Sequence, residues 1–193
     1  MREYIRQEVA KTQSTLERLA ADENIAALVE KIARVSCEAL RAGNKILFAG
    51  NGGSAADAQH LAGELVSRLN FDRPGLAAFA LTTDSSVLTA IGNDYGYDKL
   101  FARQINAVGA SGDIFFAIST SGRSANVING LREAKRKGLI TVGFTGQTVR
   151  EMTPLCDYCL HVPSSETPKI QEGHIVLGHI ICGLIERELF GGD

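Results

Sequence analysis

The chain has no tryptophan, two methionines, four prolines and four cysteines in 193 residues. Each shortage excludes a class. With so little proline and 45% hydrophobic residues, the chain is neither a proline-rich coil nor a disordered linker. Four cysteines are too few for a disulfide scaffold in a chain long enough to bury its own core. Charge of neither sign dominates, with twenty Lys and Arg against twenty-two Asp and Glu. That balance offers nucleic acid no basic surface. No apolar run is long enough for a membrane span. The opening residues, MREYIRQEVAKTQ, are too polar for a secretory signal, so a cytoplasmic protein is expected. The length predicts a single domain over residues 1–193.

Glycine is plentiful, twenty residues in all. Residues 1–42 carry apolar positions at helical spacing, from Ile5 and Val9 through Leu19 to Ile32 and Val35. Asp22 or Asn24 caps a second helix there, and Gly43-Asn44 ends it. Strands and helices then alternate. Apolar strands are read at 45–50, 77–82, 113–119, 139–145 and 157–163, with helices at 55–69, 85–93, 126–138 and 171–190. A further helical stretch follows Asp98. Continuous apolar strands between helices predict a parallel sheet covered on both faces, an α/β fold. Residues 1–42 have no place in that alternation. Their apolar stripe predicts an oligomer-forming helical bundle between subunits, leaving the α/β core at 43–193.

Ligands of such sheets bind outside the carboxyl ends of the strands. Strand one runs into Asn51, Gly52, Gly53 and Ser54, where backbone N–H groups are able to approach a ligand closely. The G-x-G-x-x-A spacing fits a dinucleotide fingerprint poorly, because that motif wants an acid about 20 residues on, at the end of strand two, and the nearest candidate there, Asp84, lies about 30 on. Alone, this loop reads equally well as a tight turn. Strand three ends in Ser119, Thr120, Ser121, Gly122, Arg123 and Ser124. One serine would cap the next helix. Four hydroxyls around a glycine at a helix N-terminus suit a phosphate. No Walker lysine follows, so a monophosphate fits better than a triphosphate. His60 and Glu64, at i and i+4, share a helix face as metal ligands, as acid and base, or as a solvated pair. His174 and His179 lie in an apolar helix with Gln171 and Glu172, as site residues or hydrogen-bonded core. Asn93 and Asp94, in the loop 92–98, suit sugar hydroxyls or plain turn chemistry. Cys156 and Cys159 form a C-x-x-C on a late strand. A redox pair would open a helix, and no second pair completes a zinc site, so the reading is structural.

Taken together, GNGGSAADAQH, AIGNDYGYD, STSGRSANV and IQEGHIVLGHIICGLIE resemble the sugar isomerase (SIS) domain family, over nearly the whole chain. Within it, the likeness is to the branch that isomerises sedoheptulose 7-phosphate. The resemblance implies a five-stranded parallel α/β sandwich of flavodoxin-like type and a homotetramer. It implies conversion of sedoheptulose 7-phosphate to D-glycero-D-manno-heptose 7-phosphate, the first step towards the heptose of bacterial lipopolysaccharide. It further implies that Ser119, Thr120, Ser121 and Ser124 hold the phosphate, and that Asn51, Gly52, Gly53 and Ser54 form the first substrate loop. Asn93 and Asp94 would bind sugar hydroxyls, and Arg68 would support the site. His60, Glu64, Gln171 and His179 match the positions that hold zinc, one ion per subunit, and Glu64 and His179 match the acid/base pair.

Two positions depart from the family pattern. Lys169 replaces an arginine, which loses bidentate pairing, and Pro168 stiffens the start of the last helix. Loop contacts to substrate are the expected casualty. The spacing of Gln171 and His179 sets a further condition. Eight residues on one helix are about 12 Å of rise and about 80° of direction. Either Gln171 precedes the helix, or neighbouring subunits share the site. Competing readings are an isomerase of another phosphosugar and a non-catalytic tetramer that binds the replication initiator DnaA. The second lacks the carboxylate that Glu64 supplies. A sugar-sensing regulator would need a helix-turn-helix segment, and no residues are left over for one.

Overall fold

A computed structural model describes residues 1–191; the last two residues of the domain expected over 1–193 lie outside the described residues. The elements run α1 (Arg2–Ala20), α2 (Glu23–Arg41), β1 (Ile46–Gly50), α3 (Gly53–Val66), β2 (Ala78–Ala80), α4 (Ser85–Tyr95), α5 (Leu100–Val108), β3 (Ile114–Ile118), α6 (Ala125–Arg136), β4 (Ile140–Gly146), β5 (Tyr158–Val162) and α7 (Thr167–Phe190). Short 3-10 turns occupy Tyr97–Lys99 and Thr153–Leu155. The five strands are parallel, in the order β2-β1-β3-β4-β5. Among the described residues, no helix is long and apolar enough to cross a membrane.

Strand alternation sorts the core into two layers. Ile46, Phe48, Ile114, Phe116, Val142 and Phe144 face α2, α3 and α7. Leu47, Ala49, Phe115 and Ala117 face α4, α5 and α6. Across three strands Phe48 stacks on Phe116 at 4.9 Å between centroids, and Phe116 meets Phe144 edge to face at 5.8 Å. Such aromatic pairs add about 0.5–1.5 kcal/mol each beyond the area they bury.

Asp22 is the cap of α2, accepting from the N–H groups of Asn24 and Ile25. The expectation that both N-terminal helices stand outside the α/β layers is corrected for α2. Its Val29, Ile32, Ala33 and Cys37 belong to the core beneath the sheet. The end of α1 reaches that core through Leu19, while the rest of the helix rests on α7 and exposes Tyr4, Ile5 and Val9. The last helix begins a turn earlier than expected, because Pro168 sits at its first positions, where a missing N–H costs nothing.

The strand order fixes where a ligand can sit. Neighbouring strands β1 and β3 send their chains to opposite sides of the sheet, which opens a crevice above their carboxyl ends. The glycine loop at 51–53 and the hydroxyl loop at 119–124 are the two rims of that crevice.

Candidate active site

Each rim is shaped by glycine where the chain turns. Gly52 has φ +57, and a Cβ on Gly50 would stand 2.5 Å from the Ser54 carbonyl. Gly122 has φ +62 at the tip of the hydroxyl loop. The two rims are joined by side chains. Asn51 and Asn126 exchange amide hydrogen bonds at 2.9 and 2.8 Å, and Tyr97 donates to the same Asn51 oxygen at 3.0 Å. The sequence reading missed Asn126 and Tyr97; the available signal was their position just after the hydroxyl loop and the Asn93–Asp94 segment.

In the hydroxyl loop, Ser124 is the N-cap residue of α6, but its side chain makes no cap bond. It meets Ser119 instead, Oγ to Oγ at 3.1 Å. Ser121 accepts from the Arg123 N–H. The hydroxyls are therefore not consumed in capping; in the first turn of α6 the Asn126 side chain takes the Val127 N–H at 3.0 Å, which leaves those of Ala125 and Asn126 for the loop. Beside it, Thr120 and Ser121 line a cavity of about 250 Å³ together with Arg123, Gln147, Arg150 and Ser164. Arg150 and Ser164, from the loops around β5, were not anticipated.

His60 and Glu64 lie one turn apart on α3, Nε2 to Oε1 at 3.1 Å. His179 of α7 brings its Nε2 to 2.7 Å from that of His60. One ligand atom from each of the three residues falls within 4.8 Å of the others. The approach depends on Gly178, where a Cβ would stand 2.7 Å from both methyls of Leu61. One turn before His60, Asp57 has a buried carboxylate oxygen without a partner. Burial pushes its pKa up to about 6, partly offset by the His60 imidazole.

Other expected residues are placed differently. Gln171 does not precede α7 but lies within it, about two turns before His179. Its amide packs against Gly53, at the start of α3. Within one chain it is therefore remote from His60, Glu64 and His179. His174 is not a site residue. It is 1% exposed, its Nε2 donates to the Thr145 carbonyl at 3.2 Å, and burial lowers its pKa to about 4. Asn93 and Asp94 lie in the last turn of α4 rather than in a loop, because the break comes at Gly96, with φ +91. Both remain exposed and bond to each other at 2.8 Å. Lys169 makes no loop contact. It is buried, and its Nζ donates to Thr12 of α1 and Glu172 of α7.

Arg68 is exposed beyond the end of α3. The buried arginine is Arg73, which the sequence reading did not single out. Its guanidinium donates to the carbonyls of Glu64 and Leu65 and pairs with Glu186 of α7 at 3.2 Å. Burial raises the pKa of Glu186, but the N–H groups of Leu69 and Asn70, with Arg73, hold it below the usual range. This pair stitches the end of α3, and with it Glu64, to the helix that carries His179.

A doubly wound sheet with a phosphate-type loop at its crevice and an imidazole–carboxylate cluster between α3 and α7 defines a ligand-binding α/β class. Residues 7–146 match the SIS domain model, and the chain belongs to that family. It is 58% identical to the phosphoheptose isomerase of Burkholderia pseudomallei over 188 residues, covering 97% of this chain and 95% of the relative. It is 57% identical to that of Aneurinibacillus thermoaerophilus over 190 residues, covering 98% and 96%. Among solved structures, the phosphoheptose isomerase of Neisseria gonorrhoeae superposes with a TM-score of 0.88 at 39% identity, covering 96% of this chain and 98% of that one. The Francisella tularensis enzyme superposes with a TM-score of 0.92 at 31% identity, covering 96% and 97%.

Proposed function

We infer that this chain is an aldose–ketose isomerase that converts sedoheptulose 7-phosphate to D-glycero-D-manno-heptose 7-phosphate. The observation that carries the reading is the cluster of His60, Glu64 and His179 between α3 and α7, in a chain that also carries a hydroxyl loop and whose relatives over full length are phosphoheptose isomerases. The Glu64 carboxylate counts against the non-catalytic, DnaA-binding reading.

The reaction moves a proton from C1 to C2 and a carbonyl from C2 to C1. Ser119, Thr120, Ser121 and Ser124 hold the phosphate with the N–H groups of α6. Asn51, Gly52, Gly53 and Ser54 position the chain, Asn93 and Asp94 take sugar hydroxyls, and Arg68 and Gln171 complete the surround. Glu64 removes the C1 proton and returns it to C2. His179 carries the proton between the two oxygens, so the intermediate is an enediol(ate). General acid and base groups of this kind supply about 10²–10⁴-fold each. Two imidazoles and a carboxylate within 4.8 Å are a donor set that suits zinc. His60, Glu64 and His179, with Gln171 from a neighbouring subunit, would hold one ion per subunit. When bound, it supplies polarisation of the carbonyl oxygen. The same reading includes a cytoplasmic homotetramer.

The test is to mix the purified protein with sedoheptulose 7-phosphate and follow aldose formation by NMR, with and without zinc. The wild-type protein is expected to convert it. Glu64→Gln is expected to lose at least about 10²-fold in kcat while still binding the phosphosugar. Full activity in that variant removes Glu64 from the base role, and no conversion by the folded wild type overturns the isomerase reading.

A further inference from the structure

Cys156 and Cys159 are the motif that the isomerase reading leaves unused. Gly143 of β4 pairs with Cys159 of β5 in the sheet register. With no side chain at 143, both sulfurs settle over the same stretch of backbone. A Cβ there would stand 2.5 Å from the Cys156 sulfur and 3.1 Å from the Cys159 sulfur. The two thiols are thus neighbours, both free and both only half-buried, Cys159 on the edge strand β5 and Cys156 in the turn just before it. Cys37 and Cys182 are fully buried, in separate places.

The surroundings distinguish the two sulfurs. The Cys156 thiol donates its one proton to the Met152 carbonyl at 3.3 Å. The Cys159 sulfur has the Cys156 sulfur, the His161 imidazole and the Thr153 hydroxyl as neighbours. His161 is oriented by its own Nδ1–H, which donates to the Gly146 carbonyl at 3.0 Å and leaves Nε2 for the sulfur. The neighbouring Cys156 sulfur, with help from His161, lowers the pKa of Cys159 against the effect of burial, and the same closeness raises that of Cys156.

We propose that Cys156 and Cys159 form a peroxide-reactive dithiol in which Cys159 attacks and Cys156 resolves. The Cys159 thiolate takes one oxygen of hydrogen peroxide, the O–O bond breaks, and hydroxide leaves as the first water once protonated. The product is a sulfenic acid at Cys159. Cys156 then gives up its proton, its sulfur attacks the sulfenic sulfur, and the second water leaves as the S–S bond forms. Two thiols are oxidised by two electrons in total, and one peroxide is reduced to two waters. The site also touches the hydroxyl loop, because the Met152 N–H donates to the Gly122 carbonyl at 3.3 Å. Oxidation removes the Cys156 thiol bond from the other side of Met152. A weaker grip on phosphate is the expected consequence, and this consequence alone rests on the isomerase reading.

The test is to add hydrogen peroxide stepwise to the native full chain, alkylate the remaining thiols after unfolding, and map the digest by mass. Both cysteines fall in one tryptic peptide, 151–169. That peptide is expected to be lighter by about two hydrogens and to resist alkylation, while Cys37 and Cys182 are alkylated. Cys156→Ser is expected to hold a dimedone-trappable sulfenic acid at Cys159, and Cys159→Ser to give none at Cys156. Indiscriminate oxidation of all four cysteines, or no disulfide, overturns the proposal. Trapping at Cys156 alone reverses the two roles. In the oxidised protein, KM for sedoheptulose 7-phosphate is expected to rise several-fold and to recover with a dithiol reductant. An unchanged KM overturns the link to the loop, whatever the mass shows.

Discussion

Burial decides which histidines are available for chemistry. His60 keeps 47% of its side chain exposed, whereas His174 is 1% exposed and packs against the Phe144 ring. The neutral His174 has its Nε2–H satisfied by Thr145 and its Nδ1 without a partner. Protonation would place a charge in the core, and burial accordingly brings its pKa to about 4. The unfolded chain takes up that proton at about pH 6.5. Between the two values the unfolded state binds more protons, so stability is complete above about pH 6.5 and falls as the pH drops toward 4. The slope is at most about 1.4 kcal/mol per pH unit, and the whole loss is on the order of 3 kcal/mol. Urea unfolding between about pH 7 and pH 5 is expected to show a shallower loss in His174→Gln than in the wild type. Identical slopes would mean that His174 titrates as freely in the native state as in the unfolded one. In the sequence, His174 and His179 look alike. They differ by about 140° around the helix, so periodicity separates their faces. It does not say which face meets the sheet, and that is why only the structure assigns His174 to the core.

At the scale of elements, the candidate site is a property of how closely α3 and α7 approach. Gly178 is the contact, and two opposing effects meet there. Alanine in a helix interior is favoured over glycine by about 0.5–1 kcal/mol. A methyl at 178 would stand 2.7 Å from both ends of Leu61, which is itself 1% exposed and has no open side to move into. Overpacking of that kind costs about 1–3 kcal/mol. Gly178→Ala is therefore expected to lower the melting temperature and, by moving His179 away from His60, to reduce kcat far more than KM. An alanine variant of higher stability and full turnover would show that the helices have slack. The helix and strand pattern itself was legible, because short continuous apolar runs alternate with amphipathic stretches, and the two loops of the crevice followed from it. The packing of α2 was not legible. An amphipathic stripe records that a face is covered, and Val29 and Ile32 carry no sign of whether a sheet or another subunit covers them. The end of α4 was misplaced for a local reason. Asn93 and Asp94 are turn formers by composition, but the positive φ that ends the helix falls at Gly96.

At the scale of the whole molecule, two observations bear on the proposed tetramer. The first is apolar surface. Tyr4, Ile5 and Val9 on α1 are 66%, 59% and 62% exposed, and Ile180 and Leu184 stand exposed on α7 beside His179. The second is the placement of Gln171 against Gly53, about two helical turns from the cluster it is expected to complete. If subunits share the site, Gln171 of one chain serves His60, Glu64 and His179 of another. Complementation separates this from a site confined to one chain. Glu64→Gln and Gln171→Ala are each expected to be inactive alone. Co-expressed in equal amounts, they form mixed assemblies. In a shared site, about one in four then combines an intact Glu64 from one variant with an intact Gln171 from the other. Activity is expected to return to that fraction of wild type, in a species that sediments at four times the 20.7 kDa of the chain. In a site confined to one chain, every copy carries one lesion, mixing restores nothing, and Gln171 then acts where the fold already places it, at the glycine loop.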